Sequence, residues 1–263
     1  MNQALRSVRR AGAVVLLSLS PALLLTASNA EAASLQQVQN FGDNPSNISM
    51  YLYVPDKVAP SPPVVVALHY CTGTASAYFS GLAAGLVSLA NQHGFIMIFP
   101  QTTAYGSCWD VFSKASLSHS GGSDSAGIVS MVKYVISQHK ADPGRVYAVG
   151  NSSGAMMTNV LLGAYPDVFK AGAAYSGVPF GCWVGADPKS GWNSACANGQ
   201  VKKTGQQWGD LVRGAYPASP VNGRASSSGT ETRTQPSTSG TSARASRSGR
   251  TCPTSARRRA RRR

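Results

Sequence analysis

The sequence predicts an α/β fold built on a doubly wound, mostly parallel sheet. Three observations predict it: short unbroken apolar runs at Val64–Leu68 and Phe95–Phe99, helical stretches between such runs, and strand and helix alternating through Tyr175. Unbroken apolar runs suit parallel strands covered on both faces, and alternation with helices implies right-handed crossovers.

In chain order, Ser49–Val54 reads as a strand in which Met50, Leu52 and Val54 alternate with other residues, closed by Pro60, Pro62 and Pro63. Val64–Leu68 follows as a strand, and Ser76–Asn91, rich in Ala and Leu, has the composition of a helix. After the strand Phe95–Phe99, Asp124 is expected to N-cap a helix over Ser125–Gln138, where Ile128, Met131, Val132 and Val135 share one face. Arg145–Val149 is a strand, Ala155–Leu162 a helix and Ala171–Tyr175 the next strand. From Ala218 the composition changes. Leu, Ile, Phe, Tyr, Trp and Lys are absent from 218–263, which is expected to be a disordered Arg/Ser-rich tail following a single domain over 34–217.

The first residues carry a basic segment with Arg6, Arg9 and Arg10, an apolar stretch Ala11–Leu25, and small residues through Ala33. This is the pattern of an export signal over 1–30, and the apolar run is shorter than the ~20 residues a spanning helix needs. A secreted, extracellular protein without stable membrane insertion is expected. Export permits disulfides, so Cys71, Cys108, Cys182 and Cys196 read as two bridges, with Cys252 left over; no CxxC pair suggests zinc. The formal charge of +14 does not point to nucleic acid, because the segment from Ala218 holds eleven Arg and one acid, Glu231, leaving +4 for everything before it. A monomer that needs neither metal nor organic cofactor is expected.

The strongest chemical signal is Gly150-Asn151-Ser152-Ser153-Gly154, directly after a strand and directly before a helix. In that context the glycines allow a tight turn that exposes the Ser152 hydroxyl, with the backbone N–H of Ser153 facing the position of an oxyanion. His69-Tyr70-Cys71-Thr72-Gly73 ends an earlier strand, where a second oxyanion donor belongs; the backbone N–H of Cys71 is the candidate. His69 is expected to order this loop by hydrogen bonding. Trp109, Trp183 and Trp192 are read either as core residues or as a carbohydrate- or aryl-binding surface.

These stretches, with Ser49–Pro55, Cys108-Trp109-Asp110, Gly122–Ser125, Tyr165-Pro166-Asp167 and Ser176–Pro179, resemble the secreted esterases related to polyhydroxybutyrate depolymerases, a group that includes acetylxylan and feruloyl esterases. The resemblance covers about Asn44–Pro217. It implies the α/β-hydrolase fold, Ser152 as nucleophile, pairing of Cys71 with Cys108 and of Cys182 with Cys196, and ester substrates in plant polysaccharide (acetyl or feruloyl esters of xylan) or polyester.

The departure from that family is as informative as the match. Its members order their triad as Ser, Asp, His, whereas this chain has no histidine beyond His139; Asp167, Asp187 and Asp210 follow the serine outside any recognisable acid motif. The sheet is therefore expected to be incomplete at its C-terminal side and the chain impaired as an esterase. Read out of frame with GC-rich codons, Arg224–Thr254 can encode Leu-Trp-His-Gly followed by Asp, which resembles the family's segment around its acid. The expectation is a frame break near Pro217–Arg224. A different class of function, a non-catalytic hydrolase-fold binding protein held to anionic cell wall by its basic tail, would also account for the missing histidine.

Overall fold

The structure is a computed structural model that describes residues 33–219. The expected export signal at 1–30 and the tail from 220, with Cys252, lie outside the described residues. The elements in chain order are β1 (Gln36–Val38), β2 (Ser49–Tyr53), β3 (Val64–Leu68), α1 (Ala75–Ser80), α2 (Ala84–His93), β4 (Ile96–Gln101), α3 (Ala104–Ser107), α4 (Ser123–His139), β5 (Val146–Asn151), α5 (Ser153–Ala164), β6 (Ala171–Tyr175), α6 (Ser194–Ala197) and α7 (Gly205–Ala215).

Six strands form one sheet in the order β1-β2-β4-β3-β5-β6. The four from β4 to β6 are mutually parallel, and β1 and β2 run antiparallel at one edge, so the sheet is mixed rather than wholly parallel. β3 lies between β4 and β5, with Val65 opposite Met97 and Leu68 opposite Gly150. Its alternate residues feed both faces. Val64, Val66 and Leu68 pack with Ile128, Met157 and Leu161 of α4 and α5, while Ala67 packs with Phe99 and Tyr78 on the α1–α2 side. Covering on both faces explains the unbroken apolar runs.

The helix expected over Ser76–Asn91 is two helices. Thr74 caps the first by accepting the Ala77 N–H at 3.1 Å, and Gly81 then leaves helical dihedrals (φ −103°, ψ −107°) before α2 resumes. Asp124 also departs from expectation. Helix α4 starts at Ser123 with Gly122 at its N-cap position, and the Asp124 carboxylate instead turns into the protein to accept the Asp110 N–H at 2.9 Å. In the first turn it still meets the positive end of the helix.

At the other edge, β6 has no outer partner among the described residues, and four of its five residues are exposed. Beside it, on the α1–α2 face, an open apolar groove of 560 Å³ runs between Tyr78, Leu82, Leu86, Tyr147, Ala173 and Tyr175. Leu82 and Tyr175 are more than half exposed there.

Candidate active site

β5 ends at Asn151 and α5 begins at Ser153, so a single residue, Ser152, makes the turn from strand to helix. It does so at φ 53°, ψ −118°, a left-handed conformation that costs a non-glycine residue energy. The turn is held on both sides: the Ser152 N–H donates to Tyr175 O at 2.9 Å, and Ser152 O accepts the Met156 N–H at 3.1 Å.

The two flanking glycines are demanded by space. A Cβ on Gly150 would stand 2.3 Å from Gly154 O, and one on Gly154 would stand 2.2 Å from Leu68 O and 2.6 Å from His69 O. Helix α5 therefore starts directly against the end of β3. Since Leu68 lies opposite Gly150 in the sheet, Cys71 and Ser152 emerge from neighbouring strands at the same end.

Ser153 is buried, and its hydroxyl accepts the Trp109 N–H at 2.8 Å. Its own N–H, at the first position of α5, has no hydrogen-bond partner among the described residues and points out of the helix start. Cys71 is bonded to Cys108, and Cys182 to Cys196 in the segment after β6. The Cys71 N–H is likewise unpartnered among the described residues, whereas its neighbours Thr72 and Gly73 donate to Gly106 O at 2.8 Å and Tyr70 O at 3.0 Å.

His69 is fully buried. Its Nδ1 lies 2.8 Å from the Tyr70 carbonyl and must donate; its Nε2 accepts the Thr102 N–H at 3.3 Å, so the ring is neutral with its proton on Nδ1. Burial holds its pKa below the usual imidazole value. The ring thus orders the loop and has no free nitrogen for a substrate.

The other histidines are no nearer to use. His93 and His139 close α2 and α4 at the far end of the sheet from Ser152. His119 forms a carboxylate pair, Nε2 to Asp167 Oδ2 at 3.3 Å, and stacks on Tyr216 at 3.7 Å. Asp167, however, follows the C-terminus of α5, and twelve helical residues separate it from Ser152, about 18 Å at 1.5 Å per residue. A histidine and an acid are present, but at the wrong end of the helix.

Two further groups matter here: Tyr78, which carries no signal in the sequence beyond its residue type, and Asp110, from the Cys108-Trp109-Asp110 stretch of the family resemblance. Tyr78 donates to Asn151 Oδ1 at 2.6 Å, fixing the residue before Ser152, and burial together with the nearby Tyr175 pushes its pKa up to about 12. Asp110 is a hub: its Oδ1 accepts the Ser113 N–H at 2.9 Å and its Oδ2 the Ser113 and Ser123 hydroxyls, both at 2.5 Å. Burial raises the pKa of the adjacent Asp124 carboxyl. Of the tryptophans, Trp109 and Trp183 are buried, while Trp192 is half-exposed and meets Trp183 edge-on at 5.2 Å.

A family model described as "Esterase PHB depolymerase" matches residues 48–188. Among curated proteins, the chain is 49% identical over 208 residues to the probable acetylxylan esterase A of Aspergillus clavatus, covering 79% of this chain and 65% of that one. It is 54% identical over 187 residues to feruloyl esterase B of Thermothelomyces thermophilus, covering 70% and 63%. The solved structure of the acetyl xylan esterase from Aspergillus awamori superposes with a TM-score of 0.67 at 46% identity, over 71% of this chain and 68% of that one. The chain spans less than two thirds of the length of these two curated relatives. With the family model covering more than half of the chain and an α/β-hydrolase sheet carrying the strained serine at the expected turn, this chain belongs to the esterase PHB depolymerase family.

Proposed function

We propose that this chain derives from a secreted serine esterase that cleaves acetyl or feruloyl esters of plant polysaccharide, with polyester as a further substrate class, and that Ser152 is its nucleophile. The observation that carries the reading is the left-handed Ser152 wedged between β5 and α5, with two glycines whose replacement the neighbouring backbone forbids. In such a mechanism the Ser152 hydroxyl attacks the ester carbonyl, the N–H groups of Ser153 and Cys71 stabilise the oxyanion, and water releases the acid from the acyl-enzyme. The relatives' names supply the ester classes, and the two disulfides support export.

The same reading makes the 263-residue chain a weak catalyst. None of its four histidines stands at Ser152, and a serine without its general base keeps only ~10³- to 10⁴-fold acceleration over water from oxyanion stabilisation and binding. Hydrolysis of p-nitrophenyl acetate by the purified chain tests this. A small rate that Ser152→Ala abolishes supports the proposal; robust turnover that survives Ser152→Ala refutes it. A rate no greater than buffer favours the non-catalytic binding reading.

A further inference from the structure

The two candidate oxyanion donors sit on different elements, and the ladder between β3 and β5 stops short of both. Each donor is aimed by its own peptide plane. The Ser152 carbonyl is taken by Met156 in the helix, which turns the Ser153 N–H outward. The Tyr70 carbonyl is held by His69 Nδ1–H at 2.8 Å and by the Gly73 N–H at 3.0 Å; because that carbonyl and the Cys71 N–H belong to one trans peptide, fixing the first aims the second the opposite way. Direction is thereby set for both. Their separation is a different matter, and it falls to the strap 106–110.

In that strap one residue touches both sides. The Trp109 backbone N–H donates to Ser153 Oγ at 2.8 Å, its indole Nε1–H donates to His69 O at 2.8 Å, and its ring lies 4.8 Å from the His69 ring. The strap is itself anchored from behind by Asp124 on the Asp110 N–H and from the side by the Cys71–Cys108 bond. We propose that Trp109 is the positioning residue of the oxyanion pocket, clamping the Ser153 and Cys71 N–H groups at a fixed separation, with the Ser153 hydroxyl as its anchor on the nucleophile side. The proposal rests on the assignment of Ser152 as nucleophile. It gives the second serine of the motif a purpose: a buried hydroxyl at the first position of α5 that neither caps the helix nor meets solvent.

The test uses the full chain and two p-nitrophenyl alkylphosphonate probes that differ only in carrying P=O or P=S. In each reaction the Ser152 oxygen bonds to phosphorus, its proton passes to hydroxide in the alkaline buffer, and p-nitrophenolate leaves with the electron pair of the broken P–O bond. Release of p-nitrophenolate gives the rate, and the mass of the peptide containing Ser152 gives the site. Hydrogen-bond donors at the correct distance favour the oxygen probe, since sulfur is larger and a weaker acceptor. Trp109→Phe keeps the ring and the backbone but loses the indole donor; Ser153→Ala keeps the backbone N–H but loses the anchor. Each is expected to lower the P=O rate about tenfold, and the P=O to P=S rate ratio several-fold. General damage to the fold would slow both probes alike, so a wild-type ratio in folded Ser153→Ala overturns the clamp, even if Trp109→Phe does not fold. Modification of wild-type Ser152 with unchanged ratios sinks the clamp alone, whereas failure of the wild-type chain to be modified sinks the nucleophile assignment with it.

Discussion

Replacing Gly154 by Ala puts one methyl group where the backbone of β3 already stands. Its Cβ would lie 2.2 Å from Leu68 O, whereas even a close C–H···O contact has its carbon about 3.3 Å away. No rotamer can relieve this, because the obstructing atoms are the carbonyls of Leu68 and His69; α5 has to retreat by about 1 Å. Overpacking of this kind costs about 3 kcal/mol at the upper end of its usual range, and the retreat forfeits the Trp109 to Ser153 hydrogen bond, about 1 kcal/mol more. Alanine's better helix propensity returns about 1 kcal/mol, leaving a net loss of about 3 kcal/mol. For a domain of this size that lowers Tm by about 6–12 °C. The control is Gly85→Ala in α2, where a Cβ meets nothing within 4 Å and the expected change is a gain of up to about 1 kcal/mol. Thermal unfolding of both variants, followed by circular dichroism at one scan rate, is the assay. A Gly154→Ala protein melting within a degree of wild type would show that α5 does not start hard against β3.

Acid should destabilise the fold before its carboxylates are protonated. Burial depresses the folded-state pKa of His69 and His139, so below pH 6.5 the unfolded chain takes up protons that the folded one does not, and stability present above that pH is lost as pH falls. The slope approaches about 1.4 kcal/mol per pH unit for the fully buried His69 until its folded pKa is reached, and the partly exposed His139 adds less because solvent screens it; Asp124, whose pKa is raised, acts in the opposite sense from about pH 4 upward, and urea titrations between pH 7 and 5 that show no downward slope would contradict this. Removing the Cys71–Cys108 bond, which closes a separation of 37 residues, should cost about 4 kcal/mol, and removing Cys182–Cys196, with a separation of 14, about 3 kcal/mol. Paired Cys→Ala variants in urea measure both, and an inverted order would mean that loop entropy is not the controlling quantity. We also propose that the reading frame breaks near Pro217–Arg224. Sequencing from the Ser152 codon to the natural stop should then yield a continuous frame with a new Asp and, beyond it, a His; a stop within a few codons of Thr254 with no further histidine would refute it.

The elements that sequence patterning located best are those whose pattern is set by burial. Val64–Leu68 matches β3 end to end, and Ser152 sits at the turn its two glycines imply; Ala171–Tyr175 also matches β6 end to end, although that strand is mostly exposed and is placed by the alternation of strand and helix. What escaped were features decided by tertiary partners. β1 is three polar-leaning residues that become a strand only because β2 offers an edge. Helix α7, opened by a Thr204–Gln207 capping box, has no counterpart among the elements expected from the sequence, although its polar and apolar faces segregate cleanly. Asp124 has the residue type and position of a cap, yet the Asp110 N–H, fourteen residues upstream, competes for its carboxylate and wins. His119 and Asp167 illustrate the reverse limit: both residue types belong to a triad, and only the length of α5 shows that they cannot serve this one.

The outer edge of β6, unpaired among the described residues, also bears on how the protein behaves in bulk. Ala171-Gly172-Ala173-Ala174-Tyr175 carries no charge and no proline, the two devices that ordinarily deter one sheet from zippering onto another, and its small side chains leave the peptide groups open to any extended chain. Encounters between such edges are bimolecular, so losses on storage should grow with the square of concentration. Five residues, rather than the melting temperature, then set how far the protein can be concentrated.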